Sequence, residues 1–193
     1  MVSNFFAMVS RMKFIERWSL MRNSRQENLS EHSLEVAMIA HALAVISNER
    51  LGNNLNAEKA ALLGIYHDAT EIITGDMPTP IKYFNKNIQG AFKEVEKDAA
   101  VKLHGMLPEY LKKSYQDIFF PSEEDAYLRK LVKAADKLSA LIKCIEEEKA
   151  GNTEFNKAKK SICELLQNMN LKEVDIFLEE FLPAYSKTLD ELS

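Results

Sequence analysis

Apolar residues recur along most of the chain at intervals of three and four, which is the spacing of an amphipathic α-helix. This pattern predicts helices over about residues 5–15, 28–48, 57–74, 86–105, 108–117, 122–150, 154–169 and 171–189. Pro183 is expected to kink or divide the last of them, because proline has no amide hydrogen to donate. No stretch is a convincing strand, so the sequence predicts an all-α fold, and its length fits a single domain over residues 1–193.

The helix predicted over residues 57–74 carries ionisable side chains on a face that should be buried. His67 and Asp68 are adjacent, and Glu71 follows His67 by one helical turn, so the three groups point to one side. Apolar residues at 62, 63, 65 and 66 mark this helix as part of the core. Burying an ionisable group costs several kcal/mol unless it is paired or binds a metal. The pattern therefore predicts a functional role for these side chains.

Two more candidate ligands lie on other predicted helices. His32 begins the buried stripe of the second helix, and Asp136 lies at the border of the apolar stripe of the helix at 122–150. For Asp136 alone, a salt bridge to Lys133 or Lys137 is the simpler interpretation. Together with His67 and Asp68, these residues form a suitable ligand set for manganese, cobalt, iron or zinc. Four protein ligands leave a five- or six-coordinate ion room for water or substrate, which favours a catalytic site.

Composition and charge narrow the possible classes of protein. The net charge of −4 argues against a general nucleic-acid binder, which is usually basic. Cys144 and Cys163 fit neither a zinc motif nor a disulfide framework, and we expect both to be buried thiols in a reducing cytoplasm. The N-terminus lacks the order of a signal peptide, and no apolar run approaches the roughly 20 residues of a membrane span. We therefore expect a cytoplasmic protein without membrane attachment.

Two loops flank the candidate site in the sequence. Residues 17–25 have little periodicity, and residues 1–30 carry five basic and two acidic side chains, a local excess of positive charge. Such a basic loop with an aromatic residue suits a phosphate-bearing ligand, although a solvated loop anchored by Trp18 is an equal alternative. The second loop, residues 76–80, contains two prolines and must lie near Glu71. Stiff loops at a helix end often carry substrate contacts.

The spacing of His32, the His67–Asp68 pair and Asp136 resembles the motif of the HD-domain metal-dependent phosphohydrolase superfamily. Longer segments resemble the bacterial 5′-deoxynucleotidases of the YfbR type, and this similarity runs nearly end to end. These segments are residues 5–6, 17–23, 30–33, 67–71 and 74–85. The resemblance implies a compact helical HD-domain fold and a homodimer that hydrolyses deoxyribonucleoside 5′-monophosphates.

The resemblance also implies roles for individual residues. The metal ligands would be His32, His67, Asp68 and Asp136, and Glu71 would be the acid/base carboxylate. A metal can acidify a bound water, and a carboxylate one turn from the ligands is close enough to exchange a proton.

The same resemblance implies a set of substrate contacts. Arg17 would bind the 5′-phosphate and offset charge developing on its oxygens during catalysis. Trp18 would pack against the sugar where a ribose 2′-hydroxyl would clash, and Asp76 would accept a hydrogen bond from the 3′-hydroxyl. The residues expected to shape the same wall are Met77, Pro78 and Thr79.

Two alternatives remain open from the residues themselves. One is an HD phosphohydrolase that acts on a triphosphate, a cyclic nucleotide or an alarmone. The other is a non-catalytic helical dimer that binds a metal or a nucleotide. The single phosphate-directed Arg17 favours a small monophosphate, and Glu71 argues against a module that only binds.

Overall fold

The protein is described by a computed structural model that covers residues 2–82 and 84–193, apart from the side chains of Thr79 and Pro80. The chain is 72% helical, and the described residues form no strand of a sheet. The described α-helices are α1 (Phe5–Val9), α2 (Leu29–Leu51), α3 (Ala57–Tyr66), α4 (Glu71–Thr74), α5 (Thr79–Lys82), α6 (Lys86–Gly105), α7 (Glu109–Phe119), α8 (Ala126–Lys149), α9 (Asn156–Asn168) and α10 (Lys172–Glu180). Short 3₁₀ segments lie at Ser10–Phe14, Thr153–Phe155, Leu182–Ser186 and Leu189–Glu191.

The main core is built around α2, which packs against α3 and α8, while α9 and α10 cover the far side. The stripe predicted for α2 is fully buried, since Val36, Ile39 and Leu43 are at most 4% exposed. The side chain of Asn28 starts α2 by accepting hydrogen bonds from the backbone amides of Ser30 and Glu31. These contacts place His32 in the first turns of a helix that cannot move without disturbing the core.

The composition of α2 departs from one expectation. Leu29–Leu51 is the one helix in the described chain that is long and apolar enough to cross a membrane, by length and composition only. The expectation that no apolar run approaches the length of a span is therefore wrong. In the fold, 56% of its most apolar window is buried against neighbouring helices. A position in the middle of the core accounts for this composition.

Helices α2 and α3 approach each other very closely at Gly64. A Cβ atom built on this glycine would lie 2.8 Å from the Cα of Ala37 on α2, which is closer than real Cβ contacts. Glycine is therefore required for the helices to pack at this distance. As a result the imidazole rings of His32 and His67 come to a centroid distance of 5.3 Å.

The continuous helix predicted over residues 57–74 is wrong, because the chain leaves α3 at Tyr66 and resumes a helix at Glu71. In the intervening turn, backbone hydrogen bonds join residues three apart, from Ala69 N to Tyr66 O and from Glu71 N to Asp68 O. Bonds of this kind wind the backbone more tightly than an α-helix does. The candidate ligands thus lie on a turn between two helices rather than along one helical face.

Other sequence expectations can be compared directly with the structure. Pro183 lies just after the end of α10, in a 3₁₀ segment, so the division of the last helix is confirmed. Cys144 is buried and Cys163 is only half-buried, and both are free thiols. The prediction that both cysteines are buried is therefore confirmed for Cys144 and wrong for Cys163, which lies on α9.

Candidate active site

Three ligand atoms converge where α2 meets the turn after α3. Nitrogen atoms of His32 and His67 and a carboxylate oxygen of Asp68 all lie within 4.8 Å of one another. His32 is fully buried, while His67 and Asp68 are half-buried, so the cluster lies below the surface and is open on one side. A group of this size and composition can hold a divalent transition metal.

Hydrogen bonds fix the tautomers of the two imidazoles. His67 Nδ1 lies 2.7 Å from the carbonyl oxygen of Gly64, so this nitrogen carries the proton. The Ser139 hydroxyl donates its hydrogen to Glu35 Oε2 at 2.6 Å. It must therefore accept the hydrogen bond that joins it to His32 Nδ1 at 2.9 Å. Both neutral histidines consequently present an unprotonated Nε2 to the cluster.

The two Nε2 atoms face acceptors rather than donors. Both are buried and make no hydrogen bond with any described residue. His67 Nε2 lies 2.9 Å from Asp68 Oδ2, and His32 Nε2 lies 3.3 Å from Asp136 Oδ1. Lone pairs held this close repel one another unless a cation lies between them. The donor set of imidazole nitrogens and carboxylate oxygens therefore fits a divalent metal ion.

Asp136 forms one of the salt bridges considered from the sequence and also contacts His32. Its Oδ1 atom contacts His32, and its Oδ2 atom forms a 2.9 Å salt bridge with Lys137. Burial alone would raise the pKa of Asp136, but His32 and Lys137 hold it well below the usual value. The carboxylate is therefore ionised and available as a fourth ligand at the edge of the cluster.

The cluster shifts the proton affinity of His67 in an unusual direction. Burial alone would lower the pKa of His67, but the charge of Asp68 and then that of Asp136 raise it to about 9. A buried imidazole with an elevated pKa indicates that this position is built for a positive charge.

Glu71 lies beside the cluster and is 6% exposed. Its Oε2 atom is buried and has no hydrogen-bond partner among the described residues. Burial, followed by repulsion from Asp68 and Asp76, raises the pKa of Glu71 to about 9. A carboxyl that holds its proton at neutral pH, next to candidate metal ligands, is suited to proton transfer.

Arg17 reaches the cluster from the N-terminal loop. Its Nε atom lies 3.0 Å from Glu27 Oε2, and its Nη1 atom lies 3.7 Å from Asp68 Oδ2. The neighbouring Trp18 packs its ring against Phe155, with the centroids 5.2 Å apart. The structure thus places Arg17 beside the cluster and joins Trp18 to Arg17 through Glu27, and neither is a freely solvated loop residue.

The second loop begins at Gly75, whose φ of 73° ends α4. Asp76 is partly buried, and burial raises its pKa, while the nearby Arg17 acts in the opposite direction. Met77 and Pro78 follow as half-buried residues of the same loop. The side chain of Thr79 lies outside the described part of the structure, although its backbone begins α5.

Several residues of the site carry no signal in the sequence that would assign them to it. Glu27 is a loop glutamate, Ser139 falls within a buried helical stripe, and Glu35 is an ordinary helical carboxylate. Each joins the site through a contact to a residue that is distant in the chain or on another segment. His32 and its polar partner Ser139 on α8 are 107 residues apart, so their contact cannot be read from spacing on a single helix.

Comparison with known proteins identifies the family. The sequence profile described as 5′-deoxynucleotidase YfbR-like matches residues 4–185 of this chain. The chain belongs to this family. It is 53% identical to 5′-deoxynucleotidase YfbR of Escherichia coli over 195 residues, which is 99% of this chain and 96% of that protein. A 5′-deoxynucleotidase of Pectobacterium atrosepticum is also 53% identical, with the same coverage of both chains.

Solved structures show the same fold. An HD-domain phosphohydrolase from Listeria innocua aligns with a TM-score of 0.80 and 22% identity, covering 94% of this chain and 88% of that one. The cyanophage S-2L HD phosphohydrolase DatZ, bound to dA and one catalytic zinc ion, aligns with a TM-score of 0.65 and 19% identity, covering 94% and 96% of the two chains. The all-α HD-domain fold and the family resemblance expected from the sequence are therefore confirmed.

Proposed function

We propose that this protein is a divalent-metal-dependent 5′-deoxynucleotidase, which hydrolyses deoxyribonucleoside 5′-monophosphates to deoxyribonucleosides and phosphate. Residues 1–193 act as a single HD phosphohydrolase domain. The observation that carries the proposal is the pair of buried, unpartnered Nε2 atoms that face Asp68 beside the guanidinium of Arg17. Membership in the 5′-deoxynucleotidase family supports the same substrate class.

The ligands of the metal are His32, His67, Asp68 and Asp136. A bound divalent transition ion, whether cobalt, manganese, iron or zinc, supplies Lewis-acid polarisation of the phosphate and acidification of a water. The hydrogen bonds from the two Nδ1 atoms hold both rings with Nε2 directed into the cluster. The structure of DatZ with one catalytic zinc ion supports a metal of this class.

Arg17 binds the 5′-phosphate. Its Nε atom is occupied by Glu27, which leaves the Nη atoms directed toward Asp68 and the cluster. A buried guanidinium next to the reacting phosphoryl group offsets the charge that builds on its oxygens.

Glu71 transfers the proton that ester hydrolysis requires. The sugar 5′-oxygen leaves as an alkoxide and needs a proton, and Glu71 holds one at neutral pH because its pKa is raised to about 9. After donating that proton, the carboxylate recovers one from the attacking water, so the enzyme is restored. Asp68 and Asp76 raise the proton affinity of Glu71 from two sides of the site.

The sugar is recognised by Trp18 and by the loop after α4. The indole of Trp18 is fixed on one edge by Glu27 and on its face by Phe155, so it forms a rigid wall. A rigid wall can exclude a ribose 2′-hydroxyl, which a flexible side chain would accommodate. Asp76 accepts a hydrogen bond from the 3′-hydroxyl, and the remaining residues of the proposed wall are Met77, Pro78 and Thr79.

The protein acts on free nucleotides in the cytoplasm as a homodimer. Its net charge of −4 is unsuited to polymeric nucleic acid, and we propose no membrane attachment. One exposed side of α2 carries Leu34, Met38 and Val45, which are 60%, 59% and 37% exposed. Apolar residues aligned on one helical face support association between subunits.

Phosphate release from a matched panel of nucleotides tests the function. Protein stripped of metal and reloaded separately with manganese, cobalt, iron or zinc should release phosphate from deoxyribonucleoside 5′-monophosphates, and much less from the corresponding ribonucleotides. Nucleoside triphosphates, cyclic nucleotides and 3′-monophosphates serve as the alternative substrates. Preferred hydrolysis of any of these, or no hydrolysis with any metal, would overturn the proposal.

A further inference from the structure

One carboxylate oxygen joins the two nucleotide-binding residues of the N-terminal loop. Glu27 Oε2 accepts a hydrogen bond from Arg17 Nε at 3.0 Å and another from the Trp18 indole Nε1 at 3.2 Å. Glu27 is only 8% exposed, so these bonds are shielded from water. Hydrogen bonds between charged partners in a shielded site are shorter and stronger than neutral ones.

The backbone strengthens the same connection. Arg17 N donates to Glu27 O at 2.9 Å, and Leu29 N donates to Ile15 O at 2.9 Å, so the two ends of the loop are paired. Trp18 has a φ of 56°, a left-handed conformation that is rare for a bulky residue. Such a conformation persists only where surrounding contacts hold it, and it concentrates at ligand-binding sites.

We infer that Glu27 is a positioning residue that orients Arg17 toward the phosphate and Trp18 toward the sugar as one unit. This inference rests on the proposed function, which assigns the nucleotide contacts of Arg17 and Trp18. Because both side chains bond to the same oxygen, neither can shift without disturbing the other. Phosphate binding and discrimination between deoxyribose and ribose are therefore coupled through Glu27.

The geometry accounts for how Glu27 orients the guanidinium without competing for the substrate. It occupies Nε, the donor on the stem side of Arg17, and leaves the outer nitrogens facing Asp68. The guanidinium is planar and rigid, so a hydrogen bond at Nε also fixes the direction in which its two Nη groups point. Removing the carboxylate would free the arginine to rotate and would free the indole edge at the same time.

Two variants and a matched control test the inference by kinetics. In Glu27→Ala both hydrogen bonds are lost, and we expect KM for a deoxyribonucleoside monophosphate to rise by about 10- to 100-fold, with a smaller change in kcat. The ratio of kcat/KM between deoxyribo- and ribonucleotides should fall in the same variant. Glu27→Gln keeps an acceptor oxygen without the charge, so its values should lie between those of the wild type and Glu27→Ala.

The control is Glu31→Gln, which removes an acidic charge four residues along the chain. Glu31 is exposed and pairs with Arg25 at 3.1 Å, and neither residue is placed in the site. Its KM and its deoxyribo-to-ribo ratio should equal those of the wild type. Equal changes in Glu31→Gln and Glu27→Gln would overturn the inference, because a general effect of charge would then explain both.

A second readout does not require turnover. Trp18 is the only tryptophan in the chain, so intrinsic fluorescence excited at the indole reports on this side chain alone. In nucleotide-free protein, Glu27→Gln and Glu27→Ala should show shifted Trp18 emission and greater quenching by iodide, while circular dichroism stays that of the wild type. Glu31→Gln should leave the emission unchanged.

The two readouts separate failure of this inference from failure of the proposed function. An active wild type whose Glu27 variants keep KM, the substrate ratio and Trp18 quenching would overturn the inference alone. A fall in KM would also overturn it, since Glu27 would then only neutralise Arg17. A wild type inactive on every deoxyribonucleotide would overturn the proposed function, while altered quenching would still support the link between Glu27 and Trp18.

Discussion

Two buried glutamates of this protein have opposite environments. Glu147 on α8 is 1% exposed and Glu71 on α4 is 6% exposed, so burial alone does not distinguish them. Glu147 accepts hydrogen bonds from Ser24 and Asn152 and pairs with Lys143, and these partners lower its pKa to about 2 despite its burial. Glu71 has a buried oxygen without a partner and a pKa raised to about 9.

The difference separates the structural charge of Glu147 from the proton-transfer role that we propose for Glu71. At Glu147 each carboxylate oxygen accepts hydrogen bonds. Those from Ser24 hold the N-terminal loop against α8. At Glu71 burial, Asp68 and Asp76 all oppose ionisation, so the carboxyl keeps its proton at neutral pH, as the proposed proton donor must. The number of satisfied hydrogen bonds, not the depth of burial, separates the two roles.

The largest expected effect comes from removing the proposed metal ligands that lie next to Glu71. His67→Ala and Asp68→Ala should each abolish metal binding and reduce turnover to background. The loss should exceed the roughly 10–100-fold that follows when only the hydrogen-bond partner of a metal ligand is removed. Metal content of the purified variants and phosphate release are the measurements.

The matched control for these ligand variants is His41→Ala, since His41 is an exposed histidine on α2. It should keep the metal content and activity of the wild type. Full metal occupancy in His67→Ala or Asp68→Ala would contradict the site assignment.

Glu71→Gln should retain the metal and lose activity by about 10²–10⁴-fold, the usual contribution of a proton-transfer group. The amide preserves the shape of the protonated carboxyl and cannot ionise in the unfolded chain, so the metal-free variant should be at least as stable as the wild type near neutral pH. Steady-state kinetics together with metal analysis checks both parts. If the variant lost its metal instead, Glu71 would be a metal ligand and the proton-transfer role proposed for it would be wrong.

Glu147→Gln should lower the stability of the protein and leave its activity unchanged, whereas Glu71→Gln should lower the activity. Loss of the charge leaves the buried Lys143 without its acidic partner, and we expect the free energy of unfolding to fall by about 3–5 kcal/mol. The kcat of the folded enzyme should remain that of the wild type, because Glu147 lies away from the candidate ligands. Urea unfolding followed by circular dichroism measures the loss, and a variant as stable as the wild type would contradict the structural role.

The pH dependence of stability should differ in sign between the two glutamates when a chelator keeps the protein metal-free. Glu147 has a depressed pKa, so its contribution is present above pH 4.5 and is lost as the pH falls toward 2. Glu71 has a raised pKa, so its contribution is lost as the pH rises from 4.5 toward 9. Each dependence should reach at most about 1.4 kcal/mol per pH unit and disappear in the corresponding Gln variant.

Unfolding curves of the two Gln variants and the wild type at pH values from 3 to 9 check these signs. Parallel curves for the wild type and Glu71→Gln above pH 5 would show that the carboxyl ionises in the fold as it does in the unfolded chain. That result would remove the basis for the proton-transfer role.

The sequence predicts much of the fold because the helices follow the apolar period closely. The buried stripe of α2 and the interruption of the last helix at Pro183 both come from local rules. The break between Tyr66 and Glu71 does not, since the intervening residues include neither glycine nor proline. Here tertiary contacts around His67 override the helical propensity of the segment.

Some residues of the candidate site can also be recognised in the sequence, and others cannot. His67, Asp68 and Glu71 are adjacent in sequence and could be recognised as a motif. The role of Glu27 depends on a bond between two ends of a loop, and that of Ser139 depends on contact between α8 and α2. Contacts of that kind arise only when the helices have packed, so no spacing along one segment encodes them.

Gly64 has a further consequence for how this sequence can change through evolution. A saturation mutagenesis screen scored on growth or activity should find position 64 as intolerant as the histidines, although glycine has no side chain to take part in chemistry. Even alanine would place its methyl group 2.8 Å from the Cα of Ala37 and force α2 and α3 apart. His32 and His67 would move apart with these helices. A wider distance between the helices would therefore cause a loss of catalysis.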